Sequence, residues 1–136
     1  MAPTTPNWPP AVLRLAKAIT IAEGSRAAWN NPGDLTYAFG FPTLGTANRD
    51  GVLIFQYPQD GEQALCQECS LMLNGRSHVY KLTDTLQQVG VKYANGDPNW
   101  AKNVAMSLGV PESTTLQQIA DPTSNHDNVQ QASLEA

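Results

Sequence analysis

From Pro10 onward the apolar residues Val12, Leu15, Ala16 and Ile19 recur at three- and four-residue steps, the stripe of a helix with one buried face. Pro9 and Pro10 suit a first helical turn and Gly24 a left-handed stop, so the spacing predicts a helix over 10–23. In Asn30-Asn31-Pro32-Gly33-Asp34, Pro32 presets φ at one central turn position and Gly33 supplies a positive φ at the next, which predicts a type II turn. Leu35 to Phe39 and Val52 to Tyr57 are rich in strand formers and flank a glycine-rich stretch, Gly40 to Gly51, predicting a small antiparallel sheet. A helix is predicted from about Gly61 to Asn74, capped by Asp60, with Leu65, Cys69, Met72 and Leu73 inward and Gly75 ending it. Thr85-Leu86-Gln87-Gln88-Val89 and Thr115-Leu116-Gln117-Gln118-Ile119 both read as T-x-x-Q capping boxes opening helices. Between them Pro98 to Leu108 is helical in pattern, closed by Gly109 and Pro111.

The pattern conflicts with polarity at one place. Counting on from Val12, Leu15, Ala16 and Ile19, the next member of the buried stripe is Glu23. The negative end of a helix dipole and partial burial both favour the neutral acid there, the form a general acid requires. The structural alternative is a last-turn residue turned to solvent or paired with Arg26 or Arg14.

With 136 residues the chain is the size of one domain. Residues 1–9 hold three of its ten prolines and read as an N-terminal arm, 10–120 as the compact domain, and 121–136 as a polar tail. The fold class expected is α+β, mostly helical. Charged residues make up only 15% against 41% hydrophobic, which argues against an intrinsically disordered tail or a coiled coil. Twelve acidic against eight basic residues give a net charge of −4 with no basic block, which argues against a nucleic-acid partner. Apolar runs stop at about four residues, as at Val52-Leu53-Ile54-Phe55, so no membrane insertion is expected, and the N-terminus does not read as a signal peptide. Cys66 and Cys69, with His78 and His126 forming no second pair, read as helix thiols rather than a zinc site or a disulfide framework. No cofactor or metal is expected.

Three stretches carry a resemblance: Ile21-Ala22-Glu23-Gly24; Asn30-Asn31-Pro32-Gly33-Asp34-Leu35; and Phe55 followed by Gly61-Glu62-Gln63-Ala64-Leu65. In this order they resemble a bacterial and phage family of lysozyme-like proteins that reads A-x-x-E-G, N-N-P-G-N-L and F-x-x-x-x-x-G-x-x-A-L. Tyr93-Ala94-Asn95-Gly96, with the helix after it, is similar to the Y-N-A-G stretch of lytic transglycosylases. The resemblance implies a lysozyme-like single domain whose small sheet lies beside a catalytic cleft, with Glu23 in the position that protonates the glycosidic oxygen of peptidoglycan. Asp34, where the family often has Asn, is the candidate second carboxylate. The phage-lysozyme spacing of Glu, eight residues, Asp, five residues, Thr is not reproduced.

Sugars are held by aromatic faces and by amides that both donate and accept hydrogen bonds. The chain has ten Asn and ten Gln, as many as all its charged residues together. Asn30, Asn31, Tyr37, Tyr57, Tyr93, Asn95 and Trp100 fall in or beside predicted loops and are the candidate substrate-binding residues, whereas Trp8 and Trp29 read as packing. The expected function is a peptidoglycan muramidase, monomeric, cutting the β-1,4 bond between N-acetylmuramic acid and N-acetylglucosamine and so acting on the cell wall outside the cytoplasm, with an antimicrobial or phage-related role. Two alternatives stand beside it: a lytic transglycosylase forming 1,6-anhydro products, and a catalytically silent virion or wall-binding module of the same fold. The acidic balance is unusual for an enzyme that must find an anionic wall.

Overall fold

The computed structural model describes residues 7–121, so His126, most of the proposed arm and nearly all of the proposed tail lie outside the described residues. The fold is α+β and mostly helical, with five α-helices and one two-stranded antiparallel sheet among the described residues. None of these helices is long and apolar enough to cross a membrane. Backbone contacts divide the chain into two compact units, 1–70 and 71–136.

In the first unit, α1 spans Pro10–Glu23, as its stripe predicts, with Pro10 in the first turn and Gly24 left-handed at φ 56°. Val12, Leu15, Ala16, Ala18 and Ile19 are its buried residues. The indole Nε1 of Trp8 donates to Gln63 Oε1 at 2.9 Å, tying the segment before α1 to the second helix of this unit. A single 3₁₀ turn, Ala27–Trp29, follows α1 and ends in Asn30 at φ 52°.

The turn after it departs from the type II expectation. Asp34 N–H donates to Asn31 O at 3.2 Å, but the left-handed residues are Asn30 and Asp34, at φ 52° and 51°, and Gly33 is not among them. Asn and Asp are the non-glycine residues that tolerate this region best, so the motif places them where the backbone demands them.

The sheet is also shifted. β1 is Thr43–Thr46 and β2 is Leu53–Phe55, whereas Leu35 to Phe39 is not a strand. Only Leu35 O reaches the sheet, accepting from Leu53 N at 2.9 Å. The chain then reverses through Phe39 and Gly40, both with positive φ, and β1 forms inside the stretch expected to be loop. β1 and β2 pair Thr43 with Phe55, Gly45 with Ile54 and Thr46 with Leu53, with a bulge between Thr43 and Gly45. The hairpin closes through Ala47 N to Val52 O at 2.7 Å, with Asn48 Oδ1 accepting from the Asp50 and Val52 amides.

Helix α2 spans Pro58–Leu73 and starts earlier than expected. Proline at the first helical position costs no hydrogen bond, so Asp60 is a first-turn acid favourable to the helix dipole rather than the cap. The buried residues of α2 in the first unit are Gly61, Ala64, Leu65, Cys66 and Cys69.

The second unit begins with the last turn of α2, where Met72 and Leu73 are buried. Arg76 N–H bonds back to Leu71 O at 3.0 Å across Gly75 at φ 70°, the expected stop. Helices α3 (Leu86–Tyr93), α4 (Pro98–Leu108) and α5 (Leu116–Ala120) follow. Both predicted capping boxes are complete: Thr85 and Gln88 exchange bonds, as do Thr115 and Gln118. The two boxes also hold each other. Leu86 N donates to Thr114 O and Leu116 N to Asp84 O, each at 3.0 Å, so Thr85 and Thr115 form an antiparallel bridge. A Cβ on Gly90 would stand 3.1 Å from Trp100 Cε3, the close approach at which α3 meets α4.

Candidate functional site

The first unit contains a cavity of about 210 Å³ whose walls come from the end of α1, the 3₁₀ turn, the Asn-Pro turn and the start of α2. Thr20, Gly24, Ser25, Arg26, Asn30, Asn31 and Glu62 line it, with Ala27, Pro32 and Pro58 supplying apolar surface. Thr20 Oγ1 donates to Ala16 O at 2.8 Å within its own helix. The Arg26 guanidinium lies 5.7 Å from the centroid of the Trp29 ring, a cation–π placement. Arg26 and Glu62 therefore give the walls one cation and one anion, and no salt bridge joins them among the described residues.

The turn that shapes the cavity is built from side-chain amides. Asn31 is 1% exposed. Its Nδ2 donates to Leu35 O and Leu53 O at 2.9 and 2.8 Å, and its Oδ1 accepts from Leu35 N at 2.9 Å. This side chain thus ties both backbone groups of Leu35 and the carbonyl of Leu53 together, and it is committed to the backbone rather than offered to a ligand. Asn30 Nδ2 donates to Phe55 O at 3.0 Å. The start of α2 is seated directly on this turn, because a Cβ at Gly61 would lie 1.7 Å from Asn30 O and 3.2 Å from Pro32 Cδ. Only glycine permits that approach.

Glu23 is half-buried at the last position of α1. Thr20 and Gly24, which bracket it in the chain, are cavity walls, although Glu23 itself is not. Asp34 is half-buried, and its Oδ1 accepts a hydrogen bond from the Ser25 hydroxyl. The turn directs this carboxylate to the residue two past Glu23. Tyr37 is 66% exposed and stands edge-to-face with Phe39 at 4.8 Å between ring centroids. Tyr57 is exposed one residue before Pro58 of the cavity wall, and its hydroxyl accepts from Gln56 Nε2 at 3.2 Å.

The remaining candidates belong to the second unit, where two of them serve packing. Trp100 is 3% exposed and stacks on Tyr93 at 5.1 Å, and Tyr93 stacks on Tyr80 at 6.3 Å. Trp100 is thus a core residue of the α3–α4 pair, not the loop-lining residue expected. Asn95 is exposed, with Asn95 and Gly96 at φ 52° and 83° making the left-handed reversal between α3 and α4. Lys92 completes this region: its Nζ donates to Val79 O at 2.7 Å, lies 3.6 Å from the Asp84 carboxylate, and stands over the Tyr80 ring.

Cys66 and Cys69 are free buried thiols. Burial, then the neighbouring Glu62 charge, pushes the Cys66 thiol up; burial, then Cys66 and Glu68, pushes Cys69 up well above the usual thiol range. Such thiols are poor nucleophiles. Burial likewise raises the Glu68 carboxyl.

Glu62, Ser25, Thr20 and Arg26 are the wall residues that the sequence reading did not single out. The available signal was Gly61: a glycine in the first turns of a helix marks a close backbone approach, and the residue after it is then fixed in place. No family model, curated protein or solved structure matches the chain.

Proposed function

We propose that the chain is a peptidoglycan muramidase that hydrolyses the β-1,4 bond between N-acetylmuramic acid and N-acetylglucosamine, with Glu23 as general acid. The observation that carries this reading is a half-buried carboxylate ending α1, bracketed by Thr20 and Gly24 of the cavity wall. The cavity offers hydroxyl, amide, guanidinium and carboxylate groups together with apolar proline surface, a lining suited to sugar hydroxyls and acetamido groups. The leaving glycosidic oxygen needs a proton as its bond to the anomeric carbon breaks, and Glu23 supplies it. The glycan strand of peptidoglycan is the partner in this reading, and the site of action is the cell wall.

The engagement of Asp34 by Ser25 favours a second reading, a lytic transglycosylase in which Glu23 works alone and the substrate's own 6-hydroxyl closes the product. A turbidity assay on purified cell walls tests the shared claim. Wild type clears the suspension and Glu23→Gln, which keeps shape but donates no proton, loses activity by ~10²-fold or more; equal clearing by both proteins overturns it.

A further inference from the structure

We infer that Glu62, and not Asp34, is the second carboxylate of the reaction, acting as the base that activates water; the inference rests on the muramidase reading above. Asp34 is occupied: its carboxylate accepts the Ser25 hydroxyl. Glu62 is an exposed residue that does line the cavity, sharing it with Thr20, Gly24, Ser25 and Asn30. No hydrogen bond or ion pair engages its carboxylate among the described residues, and the cavity's one cation, Arg26, is placed over Trp29 instead. Its backbone position is nevertheless fixed, since Gly61 is seated on Asn30 O with no room for a Cβ. A carboxylate on a rigid element, without a hydrogen bond or ion pair among the described residues and open to a cavity of about 210 Å³, has space for a water, whose share of liquid volume is about 30 Å³.

The step balances as a single displacement. A water gives one proton to Glu62 while its oxygen bonds to the anomeric carbon; that carbon's bond to the glycosidic oxygen breaks, and Glu23 donates its proton to the departing oxygen. One water is added across the bond, the configuration inverts, and one proton exchanged with solvent at each carboxyl restores the starting pair.

The experiment compares wild type, Glu62→Gln, Glu62→Ala and Asp34→Asn on purified sacculi, with and without sodium azide, with products read by mass spectrometry. Glu62→Gln is expected to lower kcat by ~10²-fold or more with KM little changed. Azide, a nucleophile that needs no base, is expected to restore turnover to Glu62→Ala and to yield a glycosyl azide, while Asp34→Asn stays near wild type. Glu62→Gln turning over within about threefold of wild type overturns the inference, as does loss of activity in Asp34→Asn with azide rescue there instead. Anhydro products from wild type overturn the role of Glu62 but leave Glu23 as the acid, whereas a wild type that releases no fragments removes the enzymatic reading itself.

Discussion

Replacing Gly61 by alanine places one methyl group where the backbone of another segment already stands. An ideal Cβ there lies 1.7 Å from Asn30 O and 2.8 Å from Asn30 C, whereas carbon and oxygen in contact keep about 3.3–3.6 Å even in the closest ordinary geometries. Both clashing atoms are fixed to main chain, so no rotamer change relieves them; α2 and the Asn30–Pro32 turn must separate by roughly 1.5 Å or more. That movement strains the Asn30 bond to Phe55 O and the three bonds of the buried Asn31 amide. Net bonds of about 1 kcal/mol each, plus about 1–3 kcal/mol for a buried amide left unsatisfied, exceed the at most about 1 kcal/mol that alanine gains over glycine in a helix. The expected net loss is about 3 kcal/mol or more, a large part of the roughly 5–15 kcal/mol that holds a domain. Urea unfolding followed by circular dichroism measures it, with the slope checked against wild type. Gly90→Ala is the control: its nearest neighbour, Trp100 Cε3 at 3.1 Å, needs to give only a few tenths of an ångström, and a smaller loss is expected. Stability of Gly61→Ala within about 0.5 kcal/mol of wild type, the range of an ordinary surface change, would refute the close approach on which the position of Glu62 rests.

Thr85→Ala and Thr115→Ala should each cost about 1 kcal/mol as lost caps; because the two boxes bridge one another, the double variant should depart from additivity by about 0.5 kcal/mol or more in the same unfolding assay. A thiol reagent at pH 8 should leave Cys66 and Cys69 unlabelled in the native protein and label both in urea, since burial holds their pKa values up; rapid native labelling contradicts this. Glu68 is protonated more readily folded than unfolded, so its favourable contribution is complete below the unfolded carboxyl pKa and is lost as pH rises through the folded one. Glu68→Gln should therefore raise the Tm at pH 7, with the gain shrinking towards pH 4; a gain that grows on acidification would reverse the assigned sign.

Helix positions were legible because the signals are local. The proline start and glycine stop of α1, and the two T-x-x-Q boxes, each specify a boundary through groups only a few residues apart. The first strand was not legible. Leu35 to Phe39 has strand composition, but the Asn31 amide takes the Leu53 carbonyl on the neighbouring strand, a contact across 22 residues of chain. The same holds at the site. Glu23 stood out because its own helix register exposes the conflict, and Trp100 misled because an aromatic beside a predicted loop looks the same in sequence whether it faces solvent or Gly90. Glu62 was hidden inside a motif whose other members, Gly61, Ala64 and Leu65, are buried packing residues.

The most direct test of the central claim is mass spectrometry of the muropeptides released from purified peptidoglycan by wild type and by Glu23→Gln. The account predicts fragments from wild type ending in reducing N-acetylmuramic acid, one water heavier than the anhydro form, and almost none from Glu23→Gln at equal folded concentration. Fragments released equally by both proteins, or by neither, would contradict it.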